Sequence, residues 1–479
     1  MSNRGERDLL RTENSPVSLE ENPRETSQPG MLGKHLGLDG SAIRSKLVQW
    51  TSKGGLAIAD QGLISGSNFL LSILLARWLG AEQYGAYAVA FGIFVLLSLV
   101  YQSLVLEPMA VFGGSSYRNS LRSYLKILFR IHFVISLSLI VIFGAIALVI
   151  EIFGKQPVLA AAFAGVTIAS PCVLVLFLAR RTFYLEFSPA ESTLGSLVYC
   201  ALMLVGLFVA YHRGILSTFS AFVLIGLAAG FASGLLWFRL RTQLPEGEPG
   251  PTLGETWRRH WGYGRWALAT CVVGWIPAYI YYPILSSFTS MAASGQLKAL
   301  MNLTLPFEQT KAALSMLFLP YAARSVAQRG KAGAWAVTGQ MTLLAFAGAI
   351  VYWALVLPFR ASIFHLMYSG KYMEVMNLLP LVAFGQVFWS AAYGPAIALR
   401  GMEAPDLVFK AFTVAMIASL VVGIPATWFW GLQGAIWGSN LADVTSLIMV
   451  FVVTRRKLNS TAEVKSLDIH PEVNALEEA

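Results

Sequence analysis

The chain has 479 residues, 56% hydrophobic and 13% charged, with a mean hydropathy of +0.60 and a formal net charge of +9. A soluble domain carries about 25% charged residues, so the composition excludes an ordinary water-soluble fold and points to repeated apolar stretches. The basic residues are dispersed along the hydrophobic chain instead of gathered in a stripe, which argues against a nucleic-acid partner.

Residues 1–50 are polar and rich in Ser, Glu, Arg and Pro, and read as a disordered cytoplasmic tail. The first long apolar stretch starts near Leu56, without the short apolar core and small-residue site of a cleavable leader, and is expected to stay in the membrane. About twelve such stretches follow, each near the roughly 20 residues needed to cross about 30 Å of hydrocarbon. Their approximate limits are 56–76, 84–106, 124–150, 157–179, 192–211, 216–238, 264–286, 297–320, 334–357, 374–399, 407–428 and 432–454. They are long and uniformly apolar where barrel strands would be short and alternating. The fold class is therefore an all-α, polytopic membrane protein.

The basic residues set an orientation. With the N-terminus in the cytoplasm, the inner connections hold Arg118, Arg122, Lys126 and Arg130, then Arg180 and Arg181, then Arg239, Arg258, Arg259 and Arg265. The outer connections hold only Arg77, Lys155, Arg213, Arg360 and Lys371. By the positive-inside rule both termini are cytoplasmic.

A weak duplication divides the chain. Gly85 opens a span that ends at Pro108, and Gly295 opens one that ends at Pro320. Six spans per half would make parallel repeats about an axis along the membrane normal. The expected organisation is an N-terminal six-helix bundle at 51–241, a cytoplasmic linker at 242–262, a pseudo-symmetric C-terminal six-helix bundle at 263–457, and a cytoplasmic tail at 458–479.

No Walker-type phosphate loop and no HExxH zinc motif occur, and the six histidines are scattered. Cys172, Cys200 and Cys271 lie in apolar stretches with no metal or redox spacing. We therefore expect no enzyme, cofactor or metal site.

Polar residues inside the spans are the informative ones, because each costs free energy in lipid and tends to face a cavity. Gln61, Ser65, Asn68 and Ser72 share one helical face, as do Thr304, Glu308, Lys311 and Ser315 in the eighth span. Trp275, Tyr279, Tyr282 and Ser286 form an aromatic stripe in the seventh. Flat aromatic faces suit sugar rings, and a cation such as Lys298 or Lys311 suits a phosphate. Each also has a packing explanation. Ser, Asn and Gln bridge packed helices, Trp and Tyr form interfacial belts, Glu308 and Lys311 neutralise each other at i,i+3, and Lys298 can snorkel to the interface. Asp60 and Glu107 suit helix ends, and Asp443 has no partner evident in sequence beyond Asn440. Pro277, Pro283 and Pro306 interrupt the seventh and eighth spans and mark them as moving parts.

The stretch DQGLISGSNFLLSILLARWLGAEQYGAYAVAFGIFVLL, from Asp60 to Leu97, resembles the N-terminal signature of the polysaccharide transporter family. That family belongs to the multidrug/oligosaccharidyl-lipid/polysaccharide exporter (MOP) superfamily. The Leu-Ala-Arg-x-Leu-Gly at 75–80, the Tyr-Gly at 84–85, LEP at 106–108 and RRTFY at 180–184 carry the likeness. It implies a V-shaped pair of six-helix bundles with a cavity lined by the first, second, seventh and eighth helices. It also implies alternating access for an undecaprenyl-pyrophosphate-linked oligosaccharide in the bacterial cytoplasmic membrane, serving exopolysaccharide or lipopolysaccharide biosynthesis beside other glycan-assembly membrane proteins. Gln61, Ser65, Asn68, Trp275, Tyr279, Tyr282, Lys298 and Lys311 are then substrate-path residues, and Asp60 and Glu308 are candidates for ion coupling. The alternative is an ion-coupled exporter of small amphipathic or cationic compounds.

Overall fold

Hydropathy and helix-breaking residues together account for the elements of this computed structural model, which describes residues 40–154, 156–186, 188–243 and 250–467. The compact unit treated below begins at Lys53. Of the tails expected at 1–50 and 458–479, residues 1–39 and 468–479 lie outside the described residues, as does part of the 242–262 linker; residues 40–50 and 458–467 are helical, the ends of the first and last helices. The structure is 91% helical, with no strand among the described residues.

The first half comprises α1 (Gly40–Trp78), α2 (Ala81–Tyr101), α3 (Glu107–Gly114), α4 (Leu121–Val149), α5 (Pro157–Leu185), α6 (Pro189–His212) and α7 (Thr218–Gln243). A single π-turn, Gln102–Leu106, joins α2 to α3, so the two make one span. The second half comprises α8 (Leu253–Tyr279), α9 (Tyr281–Phe288), α10 (Met291–Asn302), α11 (Leu305–Val356), α12 (Arg360–Tyr368), α13 (Leu379–Ala391), α14 (Tyr393–Gly401) and α15 (Pro405–Leu467). Among the described residues, ten helical stretches are long and apolar enough to cross a membrane. One of them, Pro405–Asn459, is two spans merged, because α15 turns back at Gly431 (φ 54°, ψ −128°). Another span is hidden in α10 and the first part of α11, whose polar face lowers its hydropathy. Counted in this way, twelve passages result. The 52 residues of α11 likewise reverse at Gly330 (φ 52°, ψ −127°). Only glycine adopts that backbone without strain, so it can serve as the turn between two antiparallel helices.

One boundary differs from the sequence expectation. Helix α8 begins at Leu253, inside the segment assigned to linker, with the Thr252 hydroxyl accepting from the Glu255 N–H at 3.2 Å. Its first turns alternate Trp257 and Trp261 with Arg258 and Arg259, which lowers the hydropathy without weakening the helix. The prolines act as expected: the seventh span breaks between α8 and α9 around Pro277 and Pro283, and the eighth breaks between α10 and α11 just before Pro306.

Helices α4–α7 pack on one another and on α2, whereas α8–α11 and α13–α15 pack among themselves. The halves meet chiefly through α2 against α8, α9 and α10. At the end of that seam where the connections poor in basic residues lie, Gly85 and Gly295 are face to face. A Cβ on Gly85 would sit 1.8 Å from the Met291 carbonyl oxygen, and one on Gly295 would sit 2.8 Å from that of Ala81. The contact is reciprocal, each glycine leaning on the carbonyl four residues before the other, as a pseudo-two-fold axis through the crossing requires. Nearby, Lys371 donates to the carbonyls of Arg77 and Leu79 (both 2.8 Å) and so caps the end of α1. Desolvation lowers the Lys371 pKa below the ordinary lysine value. At the opposite, basic end, His260 of α8 bridges the Leu104 carbonyl (2.9 Å) and the Tyr124 hydroxyl (2.7 Å), and the Arg259 guanidinium lies against Phe112 and Tyr117.

Candidate functional site

Between α1, α2, α8, α10 and α11 lies a cavity of about 530 Å³. The polar face of α1 supplies Gln61, Ser65, Asn68 and Ser72, and facing elements supply Tyr279, Lys298 and Gln309. The i, i+4, i+7 spacing that marks the α1 face in sequence thus places four of its polar side chains on one wall. Ser65 donates to Gln309 at 3.0 Å across the gap, and Gln61 donates to Ser65 at 3.3 Å. Asn68 and Tyr279 have no hydrogen-bond partner among the described residues.

The cavity has a floor and a mouth. The floor is a hydrogen-bonded triad: Ser72 with the Tyr84 hydroxyl (2.9 Å), Ser72 to Asn302 Oδ1 (2.8 Å), and Asn302 Nδ2 to the Tyr84 hydroxyl (2.9 Å). It lies directly beneath the Gly85–Gly295 crossing and closes that end. Toward the basic end, Gln61, Gly62, Gln309 and Thr310 are exposed, so the cavity opens there, between α1 and α11.

Lys298 sits in the wall at 6% exposure. Its ammonium lies 5.0 Å from the Phe91 ring centroid and makes no ion pair or hydrogen bond among the described residues. A buried ammonium held only by a cation–π contact is an incomplete arrangement, worth about 2 kcal/mol where a charge partner would give more.

The remaining expected site residues fall in three places. Trp275 stacks on Tyr279 (6.0 Å, 10°) and donates its indole N–H to the Gly92 carbonyl at 2.8 Å, so it braces α8 against α2. Tyr282, nearly buried, packs behind Tyr279 at 6.0 Å. Lys311 belongs to a separate cluster in the C-terminal half. Its ammonium pairs with Glu308 at 2.8 Å and approaches Ser390 at 3.4 Å, while Gln386 donates to the Glu308 carboxylate. Asp443 lies within the electrostatic reach of both charges, beside Gly385. The substrate-path residues Asn68, Tyr282 and Lys311 are therefore divided: Asn68 lines the cavity, Tyr282 stands behind its wall, and Lys311 lies in the ion-paired cluster.

Asp60 is fully buried. Its carboxylate accepts from Arg180 (2.8 Å), Ser192 (2.9 Å), Tyr184 and Ser196. Four donors from α5 and α6 converge on it, pinning α1 to the N-terminal half. Sequence reading missed all four, along with Phe91 and Gln309 at the cavity, because each contact spans distant segments. The RRTFY motif did contain Arg180 and Tyr184, and a buried Asp needs donors; nothing in the sequence joined the two observations.

No family model matches the sequence, and no characterised protein sequence matches it significantly. Solved structures do match. An inward-facing multidrug resistance MATE family transporter of the MOP superfamily superposes with a TM-score of 0.72 at 11% identity, covering 85% of this chain and 99% of that one. The fold is that of the MOP superfamily. The lipid II flippase MurJ, in an inward closed conformation, matches at 0.65 and 11% identity over 85% of this chain and 87% of its own. A MOP-superfamily transporter from Pyrococcus furiosus, described as having reversed polarity in its binding pocket, matches at 0.60 and 11%, over 85% and 95%. The cavity described above is lined by α1 and α2 from the first half of the chain and by α8, α10 and α11 from the second.

Proposed function

We propose that this protein carries an undecaprenyl-pyrophosphate-linked oligosaccharide across the bacterial cytoplasmic membrane by alternating access, for exopolysaccharide or lipopolysaccharide biosynthesis. The observation that carries the reading is Lys298: a buried, unpaired ammonium in a cavity between the halves that carries polar side chains on an otherwise apolar lining. A phosphate about 4 Å away is attracted by roughly 4 kcal/mol at an effective dielectric of 20. Gln61, Ser65, Asn68 and Gln309 offer hydrogen bonds to sugar hydroxyls, and Tyr279 offers a flat face. The mouth between α1 and α11 lets a lipid tail remain in the bilayer while the head group enters. A positive cavity disfavours cationic cargo, which weakens the small-cation exporter alternative.

The basic end and both termini are assigned to the cytoplasm on the charge asymmetry. The cavity is then open inward, and the Gly85–Gly295 crossing is the closed outer gate. Membrane proteins that build or polymerise the glycan are the natural partners. The test is reconstitution of the full-length protein in liposomes loaded with a fluorescent undecaprenyl-pyrophosphate oligosaccharide. Transbilayer movement should be well above that of empty liposomes; equal rates would remove the reading.

A further inference from the structure

A second, smaller cavity of about 150 Å³ lies inside the N-terminal half. Its walls are apolar, with Leu71, Phe94, Val173, Leu176 and Phe222 contributed by α1, α2, α5 and α7. Pro171 of α5, lacking an N–H, stands between Ala169 and Val173, which both line the space. The proline disturbs regular helix packing at this level, and the adjacent Ser170 hydroxyl is buried without a partner. Three polar side chains line the cavity: Ser98, whose hydroxyl donates to the Phe94 carbonyl of its own helix at 3.0 Å, Asn68 and Tyr199. Tyr199 is 4% exposed, and neither it nor Asn68 has a hydrogen-bond partner among the described residues.

This cavity adjoins the larger one. Ile64, Asn68, Phe91 and Val95 line both. Phe91 is also the ring that carries the Lys298 ammonium at 5.0 Å. A phosphate on Lys298 would therefore leave the first sugar ring against Phe91, with one ring substituent directed past Asn68 into the apolar space.

We infer that this space is a subsite for the acetamido group of an amino sugar bonded directly to the lipid pyrophosphate, an inference that rests on the flippase reading above. An acetamido group has an apolar methyl, one acceptor and one donor. The methyl fits the Leu and Phe walls, the carbonyl accepts from the Tyr199 hydroxyl, and the N–H donates to the Asn68 side-chain oxygen. A plain hydroxyl at the same ring position would leave the apolar volume empty and satisfy at most one of the two waiting groups.

The test uses full-length protein in liposomes with two probes, undecaprenyl-pyrophosphate-linked N-acetylglucosamine and undecaprenyl-pyrophosphate-linked glucose. The wild-type protein should move the first at least ~10-fold faster, the discrimination that a filled apolar pocket with a polar partner supplies. Val173→Phe, which fills the space, should bring the ratio of the two rates close to one. Tyr199→Phe keeps the walls intact and should lower the ratio several-fold. Equal rates in the wild type overturn the inference, as does a ratio unchanged in both variants. If Val173→Phe does not fold, an undiminished ratio in Tyr199→Phe alone overturns it. Movement of neither lipid is a different outcome: it removes the flippase reading, and the subsite falls with it.

Discussion

Two lysines on adjacent helices, both nearly buried, have opposite surroundings. Lys311 is enclosed by Glu308, Ser390 and the more distant Asp443, and its charge is answered within the protein. Lys298 faces an open cavity with only the Phe91 ring beneath it. A neutralised charge holds helices together, while an unanswered one is available to a ligand. The contrast teaches that the presence of a cation in a membrane span says little about its role until its partners are known.

The comparison is broken most severely at Lys298. Lys298→Ala should lower flipping by about 100-fold, the scale of losing one partner of a desolvated charge pair, with protein abundance unchanged. Lys298→Arg should retain part of the rate. A normal rate in Lys298→Ala protein would move the phosphate elsewhere, with Lys311 the next candidate. The gate offers the next largest effect. Gly85→Val places a side chain where the Met291 carbonyl now lies, so the outer ends of α2 and α10 should separate by several ångströms, as read by spin-label distances. An unchanged distance would mean that the crossing is not a close backbone contact.

Lys311→Ala strands the Glu308 carboxylate and should cost about 2–4 kcal/mol of stability, seen as a lower melting temperature in detergent. Lys311→Met combined with Glu308→Gln should recover most of it. If the double variant folds normally yet does not transport, the cluster has a role beyond packing. Asp60→Asn gives the smallest change. The Asn side-chain oxygen still accepts from Arg180, so the loss of the carboxylate charge costs about 1–3 kcal/mol, while the folded fraction keeps its flipping rate. A lost response to an imposed proton gradient would instead favour the ion-coupling role considered for Asp60.

The spans were legible because a membrane imposes one requirement on every crossing segment, and hydropathy registers it locally. The reversals at Gly330 and Gly431 were legible as span ends, although the helices run into them without a loop. The α1 stripe was equally readable, since Gln61, Ser65 and Asn68 are neighbours on one helix. The pairing of Lys311 with Glu308 was readable too, as an i,i+3 neighbour on one helix. The surroundings that complete the contrast were not: Gln386 and Ser390 on α13 beside that pair, and Phe91 on α2 beside Lys298, are brought near only by tertiary packing. The early start of α8 escaped for a different reason: alternating Trp and Arg average to a middling hydropathy, although they form a helix with one aromatic and one charged side.

The reciprocal seating of Gly85 and Gly295 has a mechanical consequence. Each glycine rests on the other helix's carbonyl, so neither helix can lift away while its counterpart stays seated. A seam of that kind has no half-open position: it parts in one event or holds. In the proposed alternating-access cycle, leakage through a partially separated outer face would thereby be suppressed by the shape of the contact itself, without any latch that must be timed against the cargo.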